Sequence, residues 1–142
     1  MAKIQKSIII NAPPEKVWAY LEDPMSAPEW LPGMIEARNI TGSGVGQRYE
    51  WTYKMLGIHF DGESTTTELI ENERTVVKTK AGIESTWVYT YEPHEGGTKL
   101  SFDIDYKVPV PVLGKLAEKL VLKTNEREAE LALENIKTMV ES

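Results

Sequence analysis

The sequence predicts an α+β fold. Six to seven antiparallel strands form one sheet, two short helices follow the first strand, and a long helix ends the chain. Three observations support this prediction. Apolar and polar residues alternate with period two through most of residues 34–107. A proline pair that starts a helix lies directly after the first apolar strand. From about residue 112 onward there is no proline and one glycine, and apolar residues recur at helical spacing.

The chain length and composition limit the possible functions. With 142 residues, we expect a single domain over 1–142. The formal charge is −6, from 16 basic and 22 acidic residues, so we expect no nucleic-acid partner, because nucleic-acid-binding surfaces are usually basic. There is no cysteine and there are only two histidines, which favours neither a metal site nor a thiolate nucleophile. We therefore expect no cofactor.

The sequence also bears on location. No apolar run approaches the ~20 residues that a membrane span needs, and the N-terminal stretch "MAKIQKSIII" has too short an apolar run for a signal peptide. We therefore expect a cytoplasmic protein without stable membrane insertion. The oligomeric state stays open.

The first strand, Ile4 to Ile10, leads into the stretch "NAPPEKVW". Its proline pair starts a helix, because the fixed φ and the missing N–H of proline cost nothing in a first helical turn. Asn11 can cap this helix or form a turn. The helix ends before Pro24, since a residue that precedes proline is pushed out of the α region. A second short helix or turn, "MSAPEWL", then ends at Pro32-Gly33.

The middle of the chain consists of predicted strands, at residues 34–41, 47–55, 58–70, 76–81, 84–91 and 99–108. The turn at Gly96-Gly97 fits a two-residue hairpin with positive φ. This turn places both apolar faces on the same side of the sheet, whereas a one-residue slip would oppose an apolar set to a polar one. The cross-strand pairs are then Tyr91 with Phe102, Tyr89 with Ile104, and Trp87 with Tyr106.

A second hairpin is predicted near "MLGI". We expect an even-length loop of four residues rather than two, because Leu56 is a poor residue for positive φ. The pairs are then Tyr53 with Phe60, Trp51 with Gly62, and Tyr49 with Ser64.

The loop length decides where two carboxylates lie. With an even loop, Asp61 and Glu63 face water, and we favour this register because it keeps charges solvated. A three-residue loop with a bulge would turn both inward. A buried carboxyl of raised pKa can act as a general acid or base.

The inward face of the predicted sheet is unusually aromatic. Each buried Tyr or Trp carries a polar tip that needs a partner. No catalytic residue stands out from the sequence. The candidate ligand contacts are Tyr49, Trp51, Tyr53, Phe60, Ser64, Thr66, Trp87, Tyr89, Tyr91, Phe102, Ile104 and Tyr106, with Leu116 and Leu120 from the C-terminal helix.

The C-terminal helix is predicted to carry two apolar stripes with the polar segment "KTNERE" between them, and to kink or fray near Gly114. We expect the polar segment to face solvent, and the alternative is a polar group aimed into a cavity. The first stripe is Leu113, Leu116, Ala117 and Leu120, and the second is Ala129, Leu133, Ile136 and Val140.

Four further side chains, two tryptophans and two histidines, are possible site residues. We expect Trp18 and Trp30 to pack the short helices against the sheet, with a gate residue as the alternative. His59 and His94 lie in or beside hairpin loops, and we expect both to be exposed to solvent.

Residues 10–34, "INAPPEKVWAYLEDPMSAPEWLPGM", residues 96–108, "GGTKLSFDIDYKV", and the terminal helix resemble the START-like, or SRPBCC, superfamily. Within it, the chain looks closest to the polyketide cyclase/dehydrase and lipid transport family. The resemblance implies a helix-grip fold, in which a curved antiparallel sheet wraps the long helix and leaves a cavity. It also implies binding or transport of a hydrophobic small molecule, such as a lipid, an isoprenoid or an aromatic polyketide-like compound. The alternative is a polyketide cyclase or dehydratase that uses the same cavity.

Overall fold

The structure is a computed structural model that describes residues 2–108 and 118–142. In these residues, seven antiparallel strands form one sheet in the order β1-β7-β6-β5-β4-β3-β2. The strands are β1 (Ala2–Ile10), β2 (Met34–Thr41), β3 (Arg48–Met55), β4 (Ile58–Ile70), β5 (Arg74–Lys80), β6 (Ser85–His94) and β7 (Gly97–Tyr106).

Helices precede and follow the main run of strands. After β1 come α1 (Pro14–Glu22), a 3-10 turn (Pro24–Ser26) and α2 (Ala27–Trp30), and the C-terminal helix α3 spans Glu118–Glu141. This arrangement confirms the predicted α+β helix-grip fold. The predicted kink at Gly114 lies outside the described residues.

The proline pair starts α1 as predicted. Pro13 is the extended residue before the helix, with φ −67° and ψ 156°, and Pro14 is the first helical residue. Asn11 does not cap α1; its backbone N–H donates instead to the Glu141 carboxylate at the end of α3, at 2.9 Å. The chain therefore leaves the sheet at this point and is held to the far end of α3.

One half of the molecule is a packed core between α3, β1 and the strands beside it. On the sheet, Ile10, Leu100 and Phe102 are almost fully buried. The second predicted stripe of α3 is confirmed, and Ala132 extends it. The buried residues of α3 in this half are Ala129, Ala132, Leu133, Ile136 and Val140.

The first predicted stripe of α3 is wrong at Leu120, whose side chain is 57% exposed. The neighbouring Val121 is fully buried beside Trp51, Met55 and Phe60. Successive helical residues point about 100° apart, so a shift by one residue moves a side chain from the core to solvent. The other members of this stripe, Leu113, Leu116 and Ala117, lie outside the described residues.

The β6–β7 hairpin has the predicted faces but a different turn. Its two turn residues are Glu95 and Gly96, with φ 47° and 84°, and Gly97 already belongs to β7. A Cβ on Gly97 would collide with the Ile10 carbonyl oxygen, which explains a glycine there without a positive φ. The register is shifted by two residues from the predicted one, which leaves every side chain on its predicted face. The observed pairs are Tyr91 with Leu100, Tyr89 with Phe102, Trp87 with Ile104, and Ser85 with Tyr106.

The β3–β4 hairpin has the predicted pairs, including Trp51 with Gly62. The predicted four-residue loop is wrong, because Met55 pairs with Ile58 and only two residues remain for the turn. Leu56 adopts φ 50° and Gly57 φ 79°. Leu56 therefore occupies the left-handed region that its side chain disfavours, and the strand pairing on either side holds it there.

We expect Leu56→Asn to stabilise the protein by about 0.5–1 kcal/mol, because the left-handed conformation costs most residues roughly 1–2 kcal/mol and asparagine tolerates it. Urea denaturation measures the change in the free energy of unfolding. As a control, Gly57→Ala should destabilise the protein by about 1 kcal/mol or more, since it introduces a Cβ at positive φ. A lower unfolding midpoint for Leu56→Asn would contradict the prediction.

Candidate ligand-binding cavity

A cavity lies between the inner face of the sheet, α2 and α3. Its empty volume is about 820 Å³, which includes space open to solvent. All seven strands contribute to its walls, together with Ala27 and Trp30 of α2 and residues of α3. The predicted contacts that line it are Tyr49, Trp51, Tyr53, Ser64, Trp87, Tyr89, Ile104 and Tyr106.

Several predicted contacts are buried but do not line this cavity. Phe60 packs with Trp51 and Met55 in a small cluster, and Phe102 and Tyr91 belong to the main core. Thr66 lines a smaller neighbouring cavity. The period-two pattern identified the correct face for all four. It did not identify which part of that face is covered by packed side chains.

Neither of the two ligand contacts predicted on the C-terminal helix is found in the cavity wall of the described residues. Leu120 is exposed and does not line the cavity, because the helix turns Val121 inward in its place. Leu116 lies outside the described residues.

Trp30 lines the cavity, although it is not among the ligand contacts predicted from the sequence. Its ring lies edge-on to Trp87, with centroids 6.4 Å apart, and to Tyr89, at 6.5 Å. Its indole N–H donates to the Ser26 hydroxyl at 3.2 Å, which fixes the ring. The predicted packing role is confirmed, and Trp30 also forms part of the cavity wall. Trp18 is partly buried against the core and does not line the cavity.

Two glycines set the positions of aromatic rings in the wall. A Cβ on Gly33 would lie 2.6 Å from the Tyr53 ring. A Cβ on Gly62 would overlap the ring of Trp51, the residue that faces it across β3 and β4. Both rings can therefore lie directly over backbone, which is the role of glycine where close approach is required.

The most informative polar group of the cavity is Glu128 on α3. The Tyr53 hydroxyl and the Gly33 backbone N–H both donate to its Oε1, the second at 3.1 Å. Burial raises the pKa of Glu128, and these two hydrogen bonds oppose the rise only in part. Burial also raises the pKa of Tyr53, so the phenol stays a donor.

The expectation that "KTNERE" faces solvent is wrong at two positions. Asn125 and Glu128 line the cavity, so the alternative of a polar group aimed inward holds for them. A signal was present in the sequence, because the stripe of Ala129 and Leu133, continued back by four residues, reaches Asn125. Glu126 and Arg127, on the other side of the helix, are exposed.

Some buried polar tips have partners and others do not. The Trp87 N–H donates to the Ser85 hydroxyl at 3.1 Å. In contrast, Trp51 Nε1, the Tyr106 hydroxyl and Asn125 Oδ1 are enclosed without a hydrogen-bond partner among residues 2–108 and 118–142. The expectation that each buried tip finds a partner is therefore met only in part within the described residues.

The two carboxylates of β4 lie on the outer face, as the even register predicts. Asp61 accepts from the Thr52 hydroxyl at 2.6 Å, with Arg38 at 3.5 Å. Glu63 pairs with Arg48 at 2.8 Å and with Lys80 at 3.2 Å. These hydrogen bonds lower the pKa values of both carboxyls. Neither group lines the cavity.

A second, smaller cavity of about 340 Å³, open solvent included, lies under α1 and the 3-10 turn. Trp30, Tyr49 and Tyr89 border both cavities. Glu22 and Asp23 both line the smaller cavity. Glu22 accepts from the Thr75 hydroxyl at 3.0 Å, and burial raises its pKa.

The described residues contain neither a metal-binding cluster nor a membrane-spanning helix. Over 2–108 and 118–142, no three or more His, Asp or Glu side chains are grouped so that they could hold a metal ion. His59 and His94 are exposed, as predicted. No described helix combines the length and apolarity needed to cross a membrane.

One antiparallel sheet, a long helix and a cavity between them form the helix-grip arrangement of a START-like, or SRPBCC, protein. Within this class, the family model described as polyketide cyclase/dehydrase and lipid transport matches residues 1–141, and the chain belongs to that family.

Three similar proteins place the chain among its relatives. It is 27% identical to "Ribosome association toxin RatA" of Rickettsia prowazekii over 146 residues, which cover 92% of this chain and 99% of RatA. A crystal structure from Thermus thermophilus has a TM-score of 0.82 at 19% identity and covers 98% of this chain and 97% of its own. The Zhui aromatase/cyclase of a Streptomyces species has a TM-score of 0.77 at 14% identity, with coverages of 99% and 93%. At these identities the two structures show a shared fold alone.

We expect the Glu128→Gln variant to gain stability relative to the wild type as pH rises from about 4 to about 8. The folded state holds the Glu128 proton more tightly than the unfolded state does. The stabilisation from that proton is therefore complete below the ordinary pKa of 4.5 and is lost as pH rises through the raised pKa. Glutamine keeps an oxygen for Tyr53 and Gly33 and does not titrate.

Urea denaturation at a series of pH values checks this prediction. Glu126→Gln, which removes an exposed carboxylate of the same helix, controls for the loss of one charge. A stability difference between Glu128→Gln and the wild type that does not change with pH would contradict it.

Proposed function

We propose that the protein binds a hydrophobic small molecule in the cavity between the sheet and α3, as a carrier of a lipid, an isoprenoid or an aromatic polyketide-like compound. The observation that carries this proposal is the cavity itself. Its wall consists mainly of apolar and aromatic side chains with a few polar groups, as the walls of small-molecule sites do. Membership of the polyketide cyclase/dehydrase and lipid transport family supports it. The cytoplasmic location stays a prediction from the sequence.

A second candidate function is catalysis of the cyclase or dehydratase type. The observation that favours it is Glu128, a carboxyl in the cavity wall that is hydrogen-bonded to Tyr53. A general acid or base needs a shifted pKa and reach to the substrate. In a dehydration, such a group would take a proton from the carbon beside a carbonyl and return one to the departing hydroxyl, which leaves as water. Zhui, a relative in fold, is described as an aromatase/cyclase.

The name of RatA describes association with ribosomes. We propose no ribosomal partner for this chain, because its formal charge of −6 does not favour binding to RNA.

Filling the cavity should abolish binding. Ser64 lines the cavity and is almost fully buried, and Ser64→Phe would place a ring in the empty space. We expect this variant to bind the apolar dye Nile red at least about tenfold more weakly, a loss of ~1.4 kcal/mol. Thr65→Phe places the same ring on the opposite face of β4 and should change the affinity by less than about twofold.

Dye fluorescence titration measures both variants, and urea denaturation checks that each is folded. Equal dye binding by both variants would show that the dye does not occupy the cavity. Native mass spectrometry of the protein from its natural host would identify a co-purified apolar ligand. A protein that is consistently empty and ignores a panel of lipids and quinones would count against the carrier.

The enzyme alternative makes a separate prediction. With a linear polyketone as substrate, Glu128→Gln should lower turnover by about 100-fold or more, because an amide cannot transfer the proton. Its Nile red affinity should stay close to that of the wild type. The control is Glu126→Gln, which should keep full turnover. The absence of turnover by the wild type, or its persistence in Glu128→Gln, would count against catalysis by Glu128.

A further inference from the structure

We propose that Glu128 donates a hydrogen bond from Oε2 to a carbonyl oxygen of the bound ligand, so that the cavity selects neutral apolar ketones over the matching hydrocarbons. This inference rests on the proposed function, because it specifies the chemistry of the ligand that the cavity binds. It concerns recognition and needs no chemical step.

The two oxygens of Glu128 are not equivalent. Oε1 accepts from the Tyr53 hydroxyl and from the Gly33 N–H, so its two lone-pair directions are occupied. Oε2 has no hydrogen-bond partner among the described residues, and Glu128 lines the cavity. A proton on this carboxyl therefore lies on Oε2, the oxygen that is open to a ligand.

The surroundings favour the protonated form. Burial is the largest influence on Glu128 and raises its pKa. Tyr53 from β3 donates to Glu128, and Tyr106 from β7 lines the same cavity. Burial raises the pKa of both phenols, so both stay neutral. Gly33 contributes a backbone N–H from the segment after α2. On α3 itself, the adjacent charged side chains are exposed. No cation among the described residues is identified as holding Glu128 ionised.

A protonated carboxyl with one fixed oxygen is a directed donor. The rest of the cavity wall is mainly apolar and aromatic, with Trp30, Trp87 and Ile104 among its residues. A ligand that places a carbonyl oxygen at Oε2 gains a hydrogen bond in a site with little competing water, where such bonds are stronger. An ionised Glu128 would instead accept only, and it would repel the same carbonyl oxygen.

Fluorenone and fluorene form a matched pair, because they share a flat ring system and differ by the carbonyl. Equilibrium dialysis measures their affinities for the wild type, Glu128→Gln and Glu128→Met between about pH 4 and about pH 8. We expect the wild type to prefer fluorenone by about tenfold at the acidic end and to lose this preference as pH rises through the titration of Glu128.

The two variants distinguish a hydrogen-bond donor at position 128 from a side chain that only fills space. Glutamine carries N–H donors at every pH, so Glu128→Gln should keep the preference for fluorenone without pH dependence. Methionine has no donor, so Glu128→Met should lose the preference and retain fluorene binding. If Glu128→Met does not fold, the contrast between the pH profiles of the wild type and Glu128→Gln decides.

The outcomes distinguish this inference from the proposed function. Equal affinities of the wild type for fluorenone and fluorene at acidic pH would overturn carbonyl recognition and leave hydrophobic binding intact. A preference that does not change with pH in the wild type would overturn the role of the Glu128 proton. Binding of neither compound would overturn both the inference and the proposed cavity function.

Discussion

The packing of the C-terminal half of α3 against the sheet determines where every other side chain of that helix lies. Ala132 and Ile136 are fully buried, and they fix the rotation of the helix about its axis. Because the helix is regular, the same rotation continues back to Glu128 and Val121. Glu128 is thus enclosed by apolar contacts made elsewhere on the helix, and the cost of burying its charge is reduced by keeping the proton.

The inner face of the sheet is covered by packed side chains at one end and borders the cavity at the other. All four inward residues of β7 from Leu100 to Tyr106 belong to the core, and the two further along the strand, Ile104 and Tyr106, also line the cavity. Trp30 lies at the boundary, since it packs on Phe102 with ring centroids 5.8 Å apart and also borders the cavity. The short helices after β1 therefore do more than connect strands, because they supply the ring that separates core from cavity.

Local rules predict much of this molecule, and their failures have a common cause. Alternation along β6 and β7 assigns the correct faces even though the turn lies at Glu95-Gly96, because a two-residue shift preserves period two. The poor fit of Leu56 to a positive φ favours a four-residue loop over a two-residue turn, yet the strand pairing imposes the two-residue turn. The rotation of α3 is a tertiary property, and a one-residue error in it exchanges Leu120 for Val121. The sequence does not predict Glu128 in the cavity for the same reason. The polar composition of "KTNERE" indicates a solvent-facing segment, and only the rotation of the helix turns Glu128 inward.

The Glu128–Tyr53 pair constrains both candidate functions in the same way. Burial keeps the Tyr53 phenol protonated and raises the pKa of Glu128, so Glu128 is the member of the pair whose proton can be transferred. A carrier requires that proton to remain in place while a carbonyl is bound. An enzyme requires that proton to leave and return, and Oε2, the oxygen without a partner among the described residues, is the atom at which the exchange would take place. The fixed Oε1 serves both, because it prevents the carboxyl from rotating its proton away from the ligand. The two functions therefore differ in the reactivity of the bound ligand rather than in the geometry of the protein.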